Sequence, residues 1–588
     1  MTVGLNLNKL KSNEVISIEV NQTYESRCHM LQILHQNAIQ ENKDFVLANN
    51  NNKTRFKIGC VDLKCRFLLK AISSAGTEPW VVTFFNAHNS PCEAKIKTSV
   101  PPKVAALILK EEFRHSGIVS PTRMQRMSEM HVTQNACSRM IKEAQLLLYG
   151  DRQHSYSLLP GYFRLLKDKM PGTVTVIESG DDGEFSRCFL AFEASIQGFQ
   201  YCKPVFGLDG CHIKSQYLGV MLIAVAIDAN GHTFPLAFSV VDTESTDTWT
   251  WFLENLRQVY DLSDVTIISD RQKGLINATR NVLSDIPHAS CVKHLADNAN
   301  GRGSKKARPF IFRLAKAKNV GQYENIMTEM ATVSQSAADY ITRTANPENW
   351  VEFMFPGNRW GHTTSNVVES FNAAINEARQ QPIVQMFETI RAMLARWFVT
   401  RRKEAREIAF PLVPRASKIL EERLLLVRNL RHVEVDINEY EVYDEGRVFN
   451  VNVEDKSCTC CDAKEGIPCS HLLLLLSATG SRRIEYCANQ HTTLFYFRTY
   501  EGRILSVDDV QLRHYLLDDD VEGIVSGPPI AKPRVGRPKI VRMKKKAEPS
   551  AGKPRKDNRS SDEPPLKRTY TCGKCGGKGH SKRSCTSN

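Results

Sequence analysis

Three acidic residues and three sets of cysteine and histidine carry the chemistry legible in this 588-residue chain. Asp209 and Asp270 each close a short apolar run, PVFGLD and VTIISD. Glu369 lies in TTSNVVESFNAAINEAR, where helical spacing puts Val368, Phe371 and Ile375 on one face and Glu369, Asn372 and Asn376 on another. Carboxylates at strand ends sit on a rigid frame, and two brought together repel unless a divalent cation intervenes. Paired Mg²⁺ or Mn²⁺ ions about 3.5–4 Å apart activate an attacking oxygen and stabilise the leaving one in phosphoryl transfer. Each residue also has an ordinary reading. The aspartates fit as turn formers, and Glu369, following Asn366, fits as the closing residue of a capping box. Their joint placement favours the metal site.

The elements that must position them follow from patterning. Between the aspartates come VMLIAVAID, a DANG turn, HTFPLAFSVVD and TWTWFLENLRQVY, which predict strand, strand and helix. Asn230-Gly231 predicts the positive-φ pair of a tight hairpin, and Thr248 the helix cap. After Asp270, KGLINATRNVLS reads as a helix, HASCVKH as a strand, and 295–350 as helical throughout. Cys291-x-x-His294 offers two ligands, too few for a structural zinc site. A buried thiol beside a hydrogen-bonded imidazole is the plainer reading, and a place near DNA the sharper one. Trp350, Phe353, Phe355 and Trp360 read as core, with stacking on an unpaired base as the alternative.

Several separated motifs in this region carry a resemblance: FGLDGCHIK, FPLAFSVVDTESTDTWTWFL, IISDRQKGL, SCVKHLADN and RWGHTTSNVVESFN. From about 198 to 379 the chain resembles the catalytic core of Mutator-like element (MULE) transposases. The resemblance implies an RNase H-like fold whose triad is Asp209, Asp270 and Glu369, with Mg²⁺ or Mn²⁺ as cofactor. It also matches the family's Cys-x-x-His pair to Cys291 and His294.

Zinc is expected at three places. Cys60-x4-Cys65 and His88-x3-Cys92 flank alternating strands and offer three thiolates and an imidazole, a tetrahedral set. Cysteine as a small core residue is the alternative. This region resembles the WRKY-related DNA-binding module of MULE transposases, although the family pattern is His-x-Cys. Cys458-x-Cys460 and Cys469-x-His471, the second pair opening the apolar helix LLLLLSA, resemble a SWIM zinc finger. A hairpin about Asp444-Glu445-Gly446 precedes them. Cys572, Cys575, His580 and Cys585 form a CCHC zinc-knuckle pattern in a stretch with no core to compete for thiols, a type that binds single-stranded nucleic acid.

The net charge of +14 is unevenly placed: from Pro528 onward 18 Lys and Arg face 4 Asp and Glu, so this tail carries the whole excess. A concentrated excess suits polyanion binding or nuclear import. Within it PRVGRPKI resembles an AT-hook, with Arg534, Gly536, Arg537 and Pro538 as the DNA-contacting residues; a basic linker is the alternative. Seventeen cysteines in a chain that opens without a signal-peptide core argue for thiolates on metal rather than disulfides. No apolar run reaches the length of a membrane span.

The expected fold class is multidomain α+β: an RNase H-like α/β catalytic core with a helical insertion, flanked by small zinc-binding modules and a disordered basic tail. The expected division is a zinc DNA-binding module over 1–100 and a helical linker over 101–197. The core follows over 198–400 with its insertion at 295–350, then the SWIM finger over 421–500, the tail over 528–568 and the knuckle over 569–588. The expected function is metal-dependent DNA strand cleavage and transfer at transposon ends, with a domesticated, non-cutting DNA-binding regulator as the alternative. Double-stranded DNA is the expected partner, with single-stranded nucleic acid at the knuckle. Self-association is compatible with the sequence, a membrane partner is not expected, and the nucleus is the expected location. Metal analysis of the purified full-length protein should return three zinc ions per chain; a count of one or none would refute the assignment of the three four-ligand sets.

Overall fold

The computed structural model describes residues 17–41, 45–47, 54–62, 64–73, 79–88, 154–214, 219–300, 305–460, 462–507 and 527–529, with positions 43, 92, 135, 137–141 and 143. The chain divides into two compact units, Met1–Ala531 and Lys532–Asn588. The AT-hook-like residues, the knuckle ligands and most of the helices expected between 104 and 148 lie outside the described residues. What is described is a multidomain mixture of helix and sheet, with three separate sheets.

The N-terminal module comprises β1 (Thr23–Tyr24), α1 (Arg27–Glu41), β2 (Phe45–Leu47), β3 (Arg55–Cys60), β4 (Leu68–Ser73) and β5 (Trp80–Asn86). Its strands form one antiparallel sheet in the order β1-β5-β4-β3-β2. Phe56, Ile58, Leu69, Ala71 and Val82 alternate inward and pack with Met30 and Leu34 of α1. Lys57 and Lys70 stand directly opposite each other on the exposed face.

The central domain begins with α2 (Leu159–Lys169), β6 (Val174–Ser179), β7 (Phe185–Ala191) and α3 (Glu193–Phe199). β8 (Lys203–His212), β9 (Val220–Ile227), β10 (Thr233–Val241), α4 (Thr246–Val259), β11 (Thr266–Ser269), α5 (Lys273–Val282) and β12 (His288–Ser290) follow. The seven strands are ordered β12-β11-β8-β9-β10-β7-β6. β12, β11 and β8 run parallel, and β8, β9, β10, β7 and β6 pair antiparallel in turn. β9, VMLIAVAI, is buried at every position, as its unbroken apolar run requires of a strand covered on both faces. Trp249, Phe252, Leu253 and Leu256 of α4 are all fully buried, each worth roughly 1.5–3 kcal/mol of hydrophobic burial.

Three local expectations are corrected here. The sheet starts earlier than residue 198: β6 and β7 come from the stretch assigned to a helical linker, and β7 pairs with β10 some fifty residues later, a non-local contact that no local pattern reveals. The cap of α4 is Ser245, whose side chain accepts from Thr248 N while Thr248 bonds back to the Ser245 backbone, so Thr248 closes the capping box instead of opening it. Of the Asn230-Gly231 pair only Gly231 has positive φ, at 88°, because the turn is built on Asp228, which accepts from Gly231 and whose own N–H reaches His232.

Helices α6 (Val292–Asn300), α7 (Arg308–Ala315), α8 (Val320–Val333) and α9 (Gln335–Thr344) form the insertion around their own apolar cluster. They return the chain to α10 (Asn366–Ala374) and the long α11 (Ile383–Glu407), which runs past the expected core boundary at 400. α12 (Pro414–Leu426) leads into the sheet β13 (Arg431–Asp436), β14 (Glu439–Asp444), β15 (Arg447–Asn452) and β16 (Ser457–Cys458), followed by α13 (Ser470–Ala478) and α14 (Thr493–Thr499). α14 packs back on the core. Tyr500 donates to the fully buried Asp228 at 2.7 Å, and Arg401 joins Tyr500 to the carbonyl of Thr233.

One close approach fixes α10 against the sheet. A Cβ built on Gly207 of β8 would stand 2.3 Å from Val368 Cγ2, so the helix sits where only glycine leaves room. Gly207→Ala is therefore expected to lower stability by about 1–3 kcal/mol, as overpacking does. Thermal unfolding would show it as a depressed Tm, and an unchanged Tm would mean that the helix gives way freely.

Candidate functional site

Asp209 lies near the end of β8 and Asp270 directly follows β11. These strands are parallel neighbours with Leu208 in register with Ser269, so the two aspartates are the next pair along. Their side chains therefore emerge on the same side of the sheet. Asp209 Oδ1 accepts from the Gly210 N–H at 3.0 Å, and Asp270 Oδ1 from the Gln272 N–H at 3.1 Å. Burial, with the Asp270 carboxylate adding to it, pushes Asp209 up to about 7.

Glu369 is carried by the first turns of α10. Its expected alternative as a capping residue is not realised: the N-cap is Ser365, and no side chain caps the helix. Instead Glu369 turns toward α6, where Lys293 pairs with Oε2 and His294 Nε2 lies 3.6 Å from Oε1. One turn further along α10, Asn372 donates to Asp209 Oδ2 at 2.7 Å, which ties the glutamate helix to the first aspartate. Buried Arg379 pins the end of that helix by donating to the His212 carbonyl at 2.9 Å.

Cys291 and His294 meet this centre, but not on a strand. β12 stops at Ser290, and the predicted strand HASCVKH turns helical at Val292, which places His294 in the first turn of α6. Cys291 is fully buried, and its Sγ accepts from the Ser365 N–H at 3.3 Å. Burial opposes ionisation of this thiol, yet bonding to His294 and Ser365 brings it below its ordinary value. The thiol in turn raises His294 to about 9, helped by Asp270 and Glu369. The pair is thus a thiol–imidazole couple facing the carboxylates.

Glu244 is the acidic neighbour that sequence reading missed. It sits in the loop between β10 and α4, accepts from Trp249 Nε1 at 3.2 Å, and is raised by burial and by Asp270. Its segment DTESTDTW offers several polar residues of equal standing, so only tertiary placement singles it out. Lys293 was hidden in the same way, inside SCVKHLADN. The aromatic cluster resolves toward core, with Trp350 and Phe355 buried.

Two expected zinc sets are assembled. Cys60, Cys65, His88 and Cys92 bring one ligand atom each within 4.8 Å of one another, as do Cys458, Cys460, Cys469 and His471. No other such cluster occurs among the described residues, so the three carboxylates do not close to that distance. In the first set Cys60 Sγ stands 3.6 Å from Cys92 Sγ, and His88 Nδ1 lies 3.4 and 3.6 Å from Cys65 and Cys92. Two thiolate sulfurs on one tetrahedral zinc, each about 2.3 Å from it, stand about 3.8 Å apart, so the donors fit Zn²⁺. In the second, Cys469 caps α13 and accepts from Leu472 N, while His471 Nδ1 lies 3.5 Å from Cys458 Sγ. Both imidazoles stack on a phenylalanine: His88 on Phe67 at 4.0 Å, His471 on Phe449 at 4.3 Å. His471 Nε2 also meets Asp444 Oδ2 at 3.2 Å, which holds Nδ1 free for metal.

Similarity to known proteins identifies two regions of the chain. Residues 205–298 match the MULE transposase domain, and residues 435–480 the SWIM zinc finger. The chain carries a MULE transposase domain and a SWIM zinc finger. It is 25% identical over 176 residues to the transposase for insertion sequence element IS256 in transposon Tn4001 of Staphylococcus aureus, covering 28% of this chain and 44% of that protein. It is 31% identical over 185 residues to the transposase for insertion sequence element IS406 of Burkholderia multivorans, covering 29% of this chain and 47% of that protein. The chain thus spans about half the length of the curated relatives it matches. The MULE domain contains Asp209, Asp270, Cys291 and His294, and the SWIM match contains all four ligands of the second zinc set as well as Asp444.

The Asp444 contact carries a prediction for the SWIM finger. Asp444→Asn is expected to weaken zinc about 10–100-fold, as loss of an outer partner does. Competition with a chromophoric chelator measures it. Wild-type affinity in the variant would show that the imidazole orients without this carboxylate.

Proposed function

We propose that this protein cleaves and transfers DNA strands at transposon ends in a metal-dependent reaction, with Asp209, Asp270 and Glu369 as the metal-holding triad of an RNase H-like core. One observation carries the reading: the paired aspartates end neighbouring parallel strands, and the glutamate helix is pressed onto the first of those strands at Gly207. The sheet order, with the antiparallel β9 and β10 on one side of β8 and the parallel β11 and β12 on the other, supports the RNase H-like assignment.

The residues fit a divalent cation. Glu369 Oε1 and Asn372 Oδ1 are buried acceptor atoms without a hydrogen bond, and Asp209 is held near neutrality by burial and by a second carboxylate. Asp209, Asp270 and Glu369 would hold Mg²⁺ or Mn²⁺, which when bound activates an attacking water or 3′-hydroxyl and stabilises the leaving oxygen. The protein's own groups orient this centre. Asn372 fixes the Asp209 carboxylate, the Gln272 N–H fixes Asp270, and His294 supplies positive charge beside all three acids. Trp249 holds Glu244 at the rim.

DNA is the proposed partner, reached through several surfaces. In the N-terminal module Lys57 and Lys70 stand opposite each other on the exposed face of the sheet, a basic surface suited to phosphate. The basic tail adds sequence-independent affinity for phosphate, and with its lysine clusters points to the nucleus. Zn²⁺ at the two assembled sets and at the knuckle holds the small modules.

Replacing Asp209 or Asp270 by Asn, or Glu369 by Gln, should abolish Mg²⁺-dependent nicking of DNA carrying the cognate ends and leave DNA binding within about threefold. Residues that act as a unit lose nearly as much singly as together, so the triple variant should be little worse than each single one. Wild-type protein that binds its ends tightly yet never nicks them in Mg²⁺ or Mn²⁺ would end the enzyme reading.

A further inference from the structure

Glu369 is reached through a turn with unusual backbone. Trp360 has φ of 51° and Gly361 has φ of 76°, and a bulky aromatic residue rarely occupies that left-handed region. Such a conformation persists only where the surroundings over-determine it. On the upstream side the turn is anchored in the helical insertion: Arg359 is fully buried, donates to the Trp350 carbonyl at 2.7 Å and pairs with Glu352. On the outer side its anchor is the SWIM finger. The Trp360 ring lies so close to Gly466 that a Cβ there would stand 2.6 Å from Trp360 Cζ3, and the His491 ring is 6.0 Å away. Glu465 approaches Gly361 as closely, at 2.7 Å from a built Cβ.

Glu465 and Gly466 belong to a loop tied off by the metal set. Residues 462–468 run between Cys460 and Cys469, two of the four assembled ligands. The loop is braced by Arg423 to Glu465 at 2.6 Å, by His491 Nε2 against the Glu465 carbonyl at 2.7 Å, and by Lys318 of the insertion to Asp462 at 2.6 Å.

Downstream, the same segment supports both walls of the acidic centre. The Thr363 carbonyl accepts from Val292 N at 3.0 Å, and Ser365 N donates to Cys291, so the start of α6, with Lys293 and His294, hangs on it. The Ser365 carbonyl accepts from Glu369 N at 3.2 Å, so the start of α10 hangs on it as well.

We propose that the SWIM finger is a working part of the acidic centre: its 462–468 loop seats Trp360, and Trp360 is a positioning residue that sets where Glu369 stands. The inference rests on the reading of Glu369 as a metal-holding residue, and it assigns the finger a task besides any contact with DNA. Nothing in the turn touches the reacting atoms. Its effect passes through Thr363 and Ser365.

Two readouts on the full-length protein test it: hydrogen exchange resolved to residues 359–372, and Mn²⁺ affinity. Trp360→Ala should speed exchange across 359–372, leave α13 protected and zinc content unchanged, and weaken Mn²⁺ about 10-fold or more, the scale of losing an outer support. Trp360→Phe, which keeps a ring against Gly466, should restore Mn²⁺ affinity to within about threefold of wild type, a rescue that a generally destabilised fold would not show. Gly466→Ala, whose added Cβ would stand 2.6 Å from Trp360 Cζ3, should unseat the ring and reproduce the defect from the finger side. Wild-type exchange and Mn²⁺ affinity in Trp360→Ala would overturn the proposal. Should Trp360→Ala fail to fold, Gly466→Ala and Trp360→Phe carry the same comparison. Absence of Mn²⁺ binding in the wild type would defeat the triad reading alone, since exchange at 359–372 still reports whether the finger seats the turn.

Discussion

Placing two carboxylates side by side at the end of a buried sheet is the constraint around which the protein is organised. Asp209 is held near neutrality because burial and Asp270 both oppose its charge. An unaided pair would splay apart. Here β9, covered on both faces, leaves β8 no room to shift, and Asn372 reaches across from α10 to grip Asp209. The absence of a side chain at Gly207 lets that helix come close enough to do so. Stability is spent at the acidic centre and recovered in the apolar layers of α4 and the sheet.

The two zinc sets show the same construction in unrelated surroundings. Each gathers thiols from a strand end and a neighbouring loop, and each fixes its imidazole by stacking on a phenylalanine. They differ in the support behind the ring. His471 has a carboxylate at its far nitrogen, whereas burial lowers His88 and favours the neutral imidazole that a metal requires. Cysteine at a helix start also matters in the SWIM finger, because Cys469 caps α13 with the sulfur that faces the metal set.

Much of this was legible in the sequence because the signals are local. Apolar runs ending in aspartate marked β8 and β11, and Cys/His spacing marked both assembled zinc sets. The face of α10 bearing Glu369 and Asn372 followed from its period. What escaped depends on pairing across distance. β6 and β7 read as a prelude because their partner β10 comes later in the chain. Glu244 and Lys293 have no distinguishing neighbours in sequence, and their meaning lies in which carboxylates they face. Trp360 was visible as an aromatic residue, but its left-handed backbone and its seat on Gly466 are tertiary facts. The Ser245 cap was misplaced by one turn because Thr248 satisfies the same rule from the other side.

The bond between Asp228 and Tyr500 has a consequence for how the molecule is made. The chain leaves the core along α11, builds the finger, and returns through α14 to cover a carboxylate that is fully buried in the finished fold. The two partners are 272 residues apart. At a synthesis rate of about 5–20 residues per second, the ribosome reaches Tyr500 roughly 14–54 seconds after Asp228. Until then the charge and the apolar surface of Phe234 beside Tyr500 stay open to solvent. The finger is thus a detour inside the folding unit, and the cover over Asp228 is completed only when the last helix arrives.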